Sequence, residues 1–460
     1  MKLQKSKKAN INYLAKVIKI DSFSEHPNAE RLKIAHIDGY QIAVAVDENP
    51  GLFIYFPTGC TINPSILSYL NLYRCKEINN NPEYTGFFEK NGRVKTIKLR
   101  GLPSEGFLLP FNALQLYVLS NLNVELPIQE NGLEFDEIEH DGKTIWVNKK
   151  YVVETYIHPY DRRNKRNKNL KKFNKVIEGQ FRFHYDTVII KKCPYVINPY
   201  DYIHITEKIH GTSGISAYVL CKQKMNWMQK IIHWLTGKEY IAYDYLYASR
   251  TVVKNASGDI NRGGFYGEDI WGEADKVLRP YLIPGMTLYY EIVGYLPNGK
   301  FIQKNYDYGC IPPKKTGEID GHNVIEYSEG IQFKVVIYRI TLTNVRGDVH
   351  EFSPREVQQW CLSRGLRVVN ELYYGLAKDL YDIPIDENWS NAFIEHLAND
   401  SDRFSMELDS PTCNNKVPNE GIVIKIDNMK SEAFKLKCFR FLDKEQKELD
   451  DGISNIEDDQ

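Results

Sequence analysis

One lysine has sequence neighbours that could make it a nucleophile. Lys208 lies in the segment TEKIHGTSG, directly after YIHITE, a run with high β-strand propensity, and three residues before Gly211. Its amine is therefore predicted to project from the junction of a strand and a turn. A lysine amine attacks an electrophile only when it is neutral, which requires burial or neighbouring cations. The segment indicates covalent chemistry on this amine if other parts of the chain supply such surroundings.

Two further lysines could bind an anion beside such an amine. In SEAFKLKCFRF, Lys435 and Lys437 are two residues apart, so in a strand they share one face while Phe434 and Leu436 face the other way. Two adjacent ammonium groups are disfavoured unless an anion holds them together. The pair is therefore a candidate anion site, and an exposed strand face is the alternative.

Two carboxylates fall near the ends of predicted strands. Glu420 opens EGIVIKI, and Glu291 lies near the end of GMTLYYEIVG. Carboxylate oxygens in such positions suit ribose hydroxyl groups, or a Mg²⁺ ion that keeps most of its water. Lys425 has the opposite strand parity to Glu420, so it is predicted to lie outside the site, at the edge of the core or exposed.

Composition excludes several classes of protein. The chain has 460 residues, 42% of them apolar, which is enough for two or three domains with their own cores. The 59 basic residues nearly balance 60 acidic ones, so any contact with nucleic acid must come from local patches. No run approaches the ~18 apolar residues of a membrane helix, and the N-terminus lacks the apolar core of a signal peptide. The eight cysteines have neither CxxC spacing nor clustered His and Cys partners, so no zinc site or disulfide framework is predicted.

The elements that must position these residues fall into four predicted regions. Residues 1–111 contain short strands with turn signals, such as Asp38-Gly39 between two alternating runs, and are predicted to form a small barrel. Residues 112–180 are predicted to be a connector that ends in the basic run DRRNKRNKNLKKFNK. Residues 181–442 alternate strands and helices, as in an α+β domain, and residues 443–460 are predicted to be an acidic, disordered tail.

Three local patterns bear on partners and cores. Lys98 and Arg100 are predicted to share one strand face that could meet phosphates, or could simply be solvated. The basic run could likewise be a nucleic-acid contact or a solvated loop. The helical stripe from Trp227 to Leu235 is predicted to be part of a core.

The order of the motifs along the chain resembles that of the covalent nucleotidyltransferases, the superfamily of polynucleotide ligases and capping enzymes. The series is KIHG at 208–211, SR at 249–250, YEIVG at 290–294, FKVVIYRI at 333–340, EGIVIK at 420–425 and KLK at 435–437. His where DNA ligases and capping enzymes usually have Asp resembles the RNA ligases. HPNAERLKIAHIDG, GRVKTIKLRGLPSEGFLLP and FRFHYDT resemble the branch of RNA ligases with an N-terminal OB domain, although HPNAERL alone also resembles tRNA-binding OB modules.

The resemblance covers about residues 10–111 and 181–442, and it implies an α+β fold. An N-terminal OB-like β-barrel would precede a nucleotidyltransferase domain, ATP-grasp-like, of antiparallel sheets flanked by helices. It implies an ATP-dependent RNA ligase that uses Mg²⁺ or Mn²⁺. The enzyme would form a lysyl-AMP, pass AMP to a 5′-phosphate end, and join that end to a 3′-hydroxyl.

Residue roles also follow from the resemblance. The residues that would take part in catalysis are Lys208 as nucleophile, Lys435 and Lys437 as cations at the α-phosphate, and His210 in the steps after adenylylation. The residues that would bind the nucleotide are Glu207 at the adenine amino group, Arg250 at ribose or the strand phosphate, Glu291 at ribose, Tyr338 on the adenine ring, Glu420 and Lys435. Glu291 and Glu420 would also hold the metal. Phe333 is an alternative stacking residue, and Ser213 replaces an Asn found in some RNA ligases.

The predicted partner is a nicked RNA or RNA/DNA duplex in RNA repair, with no membrane contact, a monomeric state and a cytoplasmic location. Two alternatives stay open: a GTP-using capping-type guanylyltransferase or a DNA ligase, and a non-catalytic RNA-binding protein. Both alternative enzymes normally carry an OB domain after the catalytic domain, and too little chain follows Lys437 for one.

Overall fold

A computed structural model describes residues 1–152, 173–184, 187–256, 266–319, 322–326, 330–428 and 432–451. In this part of the chain the fold is mixed α+β, with largely antiparallel sheets and eight α-helices. The helices are α1 Pro64–Tyr69, α2 Phe111–Leu122, α3 Trp227–Thr236, α4 Ile270–Leu278, α5 Pro354–Leu362, α6 Trp389–Asn399, α7 Ser401–Phe404 and α8 Phe439–Asp450. None of the helices in the described ranges is both long enough and apolar enough to cross a bilayer.

The first 150 residues form short strands in five sheets. The strands are β1 Lys2–Gln4, β2 Ala15–Ile20, β3 Ser24–Glu25, β4 Leu32–Ile37, β5 Tyr40–Ala45, β6 Gly51–Phe56, β7 Cys60–Ile62, β8 Thr96–Leu99, β9 Leu102–Glu105, β10 Phe107–Pro110, β11 Glu134–Phe135, β12 Glu137–His140, β13 Lys143–Trp146 and β14 Asn148–Lys150. The sheet orders are β10-β6-β2-β11, β3-β4-β5, β1-β12-β13, β8-β9 and β14-β7. In the first of these, β10 and β11 are outer strands that do not pair with each other. No closed barrel is therefore detected in residues 1–152, and the predicted OB domain is not confirmed.

Two details of this region differ from the sequence prediction. Residues 112–150 are not a connector, because α2 packs Leu114 and Val118 into the first core, and β11, β12 and β14 pair with β2, β1 and β7. Lys98 and Arg100 do not share a strand face, because β8 ends at Leu99 and Arg100 has a left-handed φ of 46° in the following turn. The hairpin predicted at Asp38-Gly39 is present between β4 and β5.

The remaining strands build two large sheets. They are β15 Val188–Ile189, β16 Tyr202–Glu207, β17 Thr212–Lys222, β18 Ile241–Ala248, β19 Met286–Gly294, β20 Lys314–Ile319, β21 His322–Glu326, β22 Phe333–Thr343, β23 Val349–Glu351, β24 Arg367–Val368, β25 Glu371–Leu376, β26 Gly421–Ile426 and β27 Ala433–Lys437. One sheet has the order β15-β27-β26-β16-β25, and the other has the order β18-β17-β19-β22-β23 with β24 beside β22. Strand β19, buried along its whole length, lies at the centre of the second sheet. The predicted basic run lies mostly outside the described residues.

The two large sheets meet at the candidate nucleophile. Strand β16 belongs to the first sheet and β17 to the second, and only residues 208–211 separate them along the chain. The Lys208 amide donates to the carbonyl of Gly421 at 2.9 Å, which holds the crossing against β26. The lysine is thus fixed at the junction of both sheets, as a strand-to-turn position requires.

Helix α8 joins the C-terminal end of the second region to the first. The predicted acidic tail begins at residue 443, yet the helix continues to Asp450. Asp450 accepts hydrogen bonds from Arg93 at 2.7 Å and from Lys95 at 2.9 Å, and Gln446 accepts one from the Thr96 amide. The tail prediction is therefore wrong for residues 443–450, whose polar side chains have partners more than 340 positions away.

Asp450→Ala is expected to lower the free energy of unfolding by about 1–2 kcal/mol, because the Arg93 side chain is fully buried and would lose its carboxylate partner. Urea unfolding measures the difference. Asp443→Ala removes an exposed ion pair with Lys447 on the same helix and serves as the control, with an expected change within about 0.5 kcal/mol. Equal losses in the two variants would contradict the assigned role of α8.

Candidate active site

The Lys208 amine is held by a buried carboxylate that it shares with a second lysine. Its Nζ lies 2.6 Å from Oε1 of Glu420, and Nζ of Lys437 lies 3.4 Å from the same oxygen. The Lys208 side chain is 16% exposed and that of Glu420 only 1%. Lys437 also pairs with Glu445 of α8 at 3.1 Å. The amine is therefore sheltered, close to the KLK strand, and directed at charged groups rather than at bulk solvent.

Glu420 stays ionised because of these cations. Burial by itself would raise the pKa of its carboxyl group, but the positive charges of Lys208 and Lys437, together with His210, outweigh burial and lower the pKa to about 2. A carboxylate at this position favours the ammonium form of Lys208. In turn, two ammonium groups around one oxygen repel each other, which favours loss of a proton from one of them.

His210 lies behind Glu420 in an aromatic cage. Its Nδ1 is 3.6 Å from Oε2 of Glu420, and its ring makes edge contacts with Tyr306 and Phe441 at centroid distances of 4.7 and 4.9 Å. Its backbone amide and carbonyl both bind the hydroxyl of Tyr308. In the described structure His210 does not line the cleft next to Lys208, so its geometry suits positioning of Glu420 more directly than contact with a substrate.

A cleft opens beside Lys208 between the two sheets, and it is called the Lys208 cleft below. The predicted site residues that line it are Glu207, Lys208, Arg250, Glu291, Tyr338 and Lys435. The residues that line it and that the sequence did not single out as site residues include His184, Thr206, Arg339, Val423 and Lys425. Glu420, Lys437 and His210 are outside this lining and act on it through Lys208.

Glu291 and Ser213 face each other across β17 and β19. The Ser213 hydroxyl donates to Oε2 of Glu291 at 3.1 Å, and the two residues are backbone partners in the ladder. Gly211 lies so close to β19 that a Cβ atom would be 2.5 Å from the Ile292 carbonyl oxygen and 2.7 Å from Cγ of Glu291. Only glycine permits this approach, which places the carboxylate next to the lysine loop.

Gly211→Ala is therefore expected to push β17 and β19 apart, reducing adenylylation of the protein at least ~10-fold because small displacements of reacting groups have large effects on rate. Transfer of label from ATP to the protein measures this change. Gly51→Ala is the control, since a Cβ there meets no atom within 4 Å. Normal adenylylation by Gly211→Ala would show that the close approach is not required.

Glu207 closes one end of the Lys208 cleft. Its Oε1 accepts a hydrogen bond from the Thr412 hydroxyl at 2.7 Å and its Oε2 one from the Asn370 side-chain amide at 3.0 Å. Burial raises the pKa of Glu207, and these two hydrogen bonds oppose the rise. The carboxylate is thus fixed in orientation, and neither partner residue was predicted, because both come from loops distant in sequence.

Tyr338 and Lys425 form another wall. Tyr338 lies in the cleft with its hydroxyl 3.3 Å from Nδ1 of His184, whereas the alternative Phe333 packs in a different core. Lys425 donates to the Tyr338 carbonyl at 2.7 Å, and burial lowers its pKa to about 8. Its prediction as a residue outside the site was wrong. Strand β26 begins at Gly421, whose φ of 132° breaks the alternation, so parity cannot be counted from Glu420.

The carboxylates fit a metal ion that keeps most of its water. The described residues contain no group of three or more His, Cys, Asp or Glu side chains able to form an all-protein metal site. Mg²⁺ is commonly held by one or two carboxylates together with substrate phosphates, so Glu291 in the cleft is a suitable donor. Glu420 is already engaged by two ammonium groups, so it could bind a metal only after Lys208 gives up its charge.

A second cleft, called the interface cleft, runs between the first 150 residues and the KLK strand. Arg250 and Lys435 line it as well as the Lys208 cleft, so the two are continuous. From the first region it is lined by Tyr40, Glu105 and Lys150. Lys191 spans the boundary, since its amine binds both oxygens of Glu105 at 2.8 and 2.7 Å.

Comparisons with known proteins gave matches only among solved structures. No protein-family model and no curated protein sequence matched the chain. Among solved structures, the chain is similar to the Naegleria gruberi RNA ligase in several forms. A lysine-to-alanine mutant of that enzyme with ATP and Mn aligns with a TM-score of 0.52 and 14% identity over 95% of this chain and 99% of that one. The form with PPi gives 0.51 and 14% over 95% and 100%, and an apo aspartate-to-alanine mutant gives 0.52 and 15% over 95% and 98%. At this identity the likeness concerns the fold, and the chain has the fold of an RNA ligase.

Proposed function

We propose that the protein is an ATP-dependent RNA ligase that seals nicks with a 3′-hydroxyl and a 5′-phosphate through a lysyl-AMP at Lys208. The observation that carries the proposal is the sheltered amine of Lys208 at the junction of two sheets. It shares Glu420 with Lys437 and borders a cleft lined by Lys435, Arg250 and Glu291. The RNA ligase fold supports the same conclusion.

In the first step, Nζ of Lys208 would attack the α-phosphorus of ATP. A nitrogen–phosphorus bond forms, the bond to the bridging oxygen breaks, and pyrophosphate leaves with the electron pair. The amine must first lose a proton, which repulsion from Lys437 favours. Lys435 in the cleft would then offset charge on the phosphate oxygens, the kind of stabilisation on which phosphoryl transfer mainly depends.

In the next two steps, AMP would move to the nick. A 5′-phosphate oxygen attacks the phosphorus of lysyl-AMP, the phosphorus–nitrogen bond breaks, and Lys208 regains its proton. The 3′-hydroxyl then attacks the 5′-phosphorus and AMP departs. The continuous path from the Lys208 cleft into the interface cleft, with Arg250 and Lys435 on both, is a suitable route for the phosphate of the strand.

The walls of the cleft suit an adenine nucleoside. The Glu207 carboxylate, fixed by Thr412 and Asn370, would accept a hydrogen bond from the adenine amino group, whereas guanine presents a carbonyl oxygen at that position. Tyr338 would stack on the base. Glu291 would hold a ribose hydroxyl and, with Glu420, the metal. Mg²⁺ or Mn²⁺, when bound, would supply positive charge that neutralises the phosphates.

The proposal extends to the first 150 residues and to the biological substrate. That region, with the interface cleft at its edge, is proposed to be an OB-type domain that contacts the duplex beside the nick. The substrate would be a nicked RNA or RNA/DNA duplex, and the role RNA repair by a monomeric enzyme in the cytoplasm. Lys98 lies near Phe439 of α8, 5.9 Å from its ring, which gives this surface at least one cation close to the second region.

Labelled ATP and labelled GTP, each incubated with the protein and Mg²⁺, test the nucleotide assignment on a denaturing gel. Label from ATP alone is expected, and label from GTP alone would favour a capping-type enzyme. Matched nicked duplexes that differ only in the sugar on each side of the break then test the strand. Sealing is expected with a ribose 3′-hydroxyl, and sealing restricted to deoxyribose ends would overturn the RNA assignment.

A further inference from the structure

Helix α3 exposes a broad apolar surface. It forms the connection between β17 and β18, and none of its residues is buried. The apolar side chains with their exposed fractions are Trp227 70%, Met228 53%, Ile231 48%, Ile232 41%, Trp234 82% and Leu235 67%. The prediction that this stripe belongs to a core is therefore wrong. The stripe has the right period for a helix, yet no other element in the described structure covers it.

The helix is amphipathic and complete in itself. At 100° per residue its six apolar side chains fall within one arc of about 160°, and Gln229, Lys230, His233 and Thr236 occupy the opposite side. The most sheltered side chains, Gln229 and His233, lie on that polar side, so the apolar face points outward. Asn226 and Gln229 form a capping box, and Gly237 ends the helix in a left-handed conformation. Its two ends are thus stabilised without help from a partner.

Positive charge surrounds the apolar face. From residue 222 to residue 238 the chain has four lysines and no acidic residue: Lys222, Lys224, Lys230 and Lys238. Lys222 is 3.5 Å from Glu239, and the other three are exposed. Tryptophan on an apolar face with lysine around it is the pattern of helices that lie in the interface of a bilayer with anionic headgroups.

The helix is far from the candidate active site on a rigid stem. Strands β17 and β18 pair without interruption from Ile215 to Lys222, and the Gln223 amide donates to the Tyr240 carbonyl at the base of the connection. From Ser213 at the cleft to Lys222 is nine residues, or roughly 30 Å along a strand. A surface that holds α3 would therefore leave the Lys208 cleft open.

We propose that α3 attaches the protein to the surface of a membrane rich in anionic lipids. The apolar face would enter the boundary between headgroups and acyl chains, and the lysines would contact the headgroups. With ten residues the helix lies on the membrane and does not cross it. The sequence analysis predicted no membrane contact on the ground that no spanning segment exists, and a helix at the interface does not require one. The proposal is independent of the nucleotide chemistry.

Co-sedimentation of the full chain with sucrose-loaded vesicles tests the proposal. Binding is expected to vesicles with one third phosphatidylserine in phosphatidylcholine, with much weaker binding to phosphatidylcholine alone and a decrease at high salt. Trp234→Glu is expected to lower the partition constant at least ~10-fold while transfer of AMP to the protein stays normal. The control is Leu362→Glu, which adds the same charge at an exposed leucine of α5 and should bind like the parent.

A fluorescence measurement separates insertion from simple attraction between charges. Brominated acyl chains are expected to quench the tryptophan emission of the parent, and Trp227→Phe with Trp234→Phe should bind vesicles with much less quenching. No binding to anionic vesicles, or equal binding by Trp234→Glu and its parent, would overturn the proposal. Self-association of the parent without lipid that Trp234→Glu abolishes would replace the membrane with a second copy of the chain.

Discussion

Lys208→Arg is expected to abolish covalent transfer of AMP to the protein, with a loss of at least ~10⁴-fold in the rate. Arginine keeps the positive charge beside Glu420 but does not become a neutral amine, so the nucleophile is lost while the ion pair can persist. The readout is label from ATP in the denatured protein. Far-ultraviolet circular dichroism should be unchanged, because the charge balance at the junction of the sheets is kept.

The control for this variant is Lys304→Arg, which makes the same change at an exposed position and should be labelled normally. Lys208→Arg should still seal a nick that already carries AMP on its 5′-phosphate, since that step does not use the amine. Strand sealing from ATP at the parental rate would sink the lysyl-AMP mechanism and revive a non-catalytic role for the domain.

Glu420→Ala is expected to lower the free energy of unfolding by about 3 kcal/mol. The carboxylate is buried and lies between Lys208 and Lys437, so its removal leaves two ammonium groups together without their shared anion. Urea denaturation measures the loss. Glu395→Gln, on an exposed face of α6, is the control and should change stability by less than about 0.5 kcal/mol. A Glu420→Ala protein as stable as its parent would contradict the assigned ion pairs.

The same carboxylate predicts a dependence on pH. Its pKa is lowered from 4.5 in the reference state to about 2 in the folded protein, so its contribution is fully present above about pH 4.5 and is lost as the pH falls towards 2. The difference in stability between the parent and Glu420→Gln should therefore narrow as the pH is lowered from 4.5. A difference that widens over this range would mean that Glu420 is not held in its ionised form.

Local patterns predicted the elements well where burial and local structure coincide. The alternation in β27 is found, with Phe434 and Leu436 buried, and so is the capping box in which Ser353 and Glu356 begin α5. The candidate site could be located for a related reason. Its lysine and carboxylates stand at strand ends, where a side chain leaves the sheet without breaking the hydrophobic pattern.

What the sequence did not reveal depends on contacts between distant segments. The stripe of α3 has the same period as a buried helix, and only the tertiary structure shows that nothing packs on it. The acidic composition of residues 443–450 suggested disorder, but their partners, such as Arg93, belong to the first region. Lys425 was misplaced because a single glycine, Gly421, resets the alternation of its strand. Tertiary context overrides local preference in each case.

The most direct test of the central claim is to locate the nucleotide on the protein. The full chain would be incubated with ATP and Mg²⁺ in the absence of nucleic acid, digested, and analysed by mass spectrometry. AMP is expected on the amine of Lys208 and on no other side chain, and pyrophosphate should release it. AMP on a different residue, or a protein that carries none while nicks are still sealed, would contradict the account.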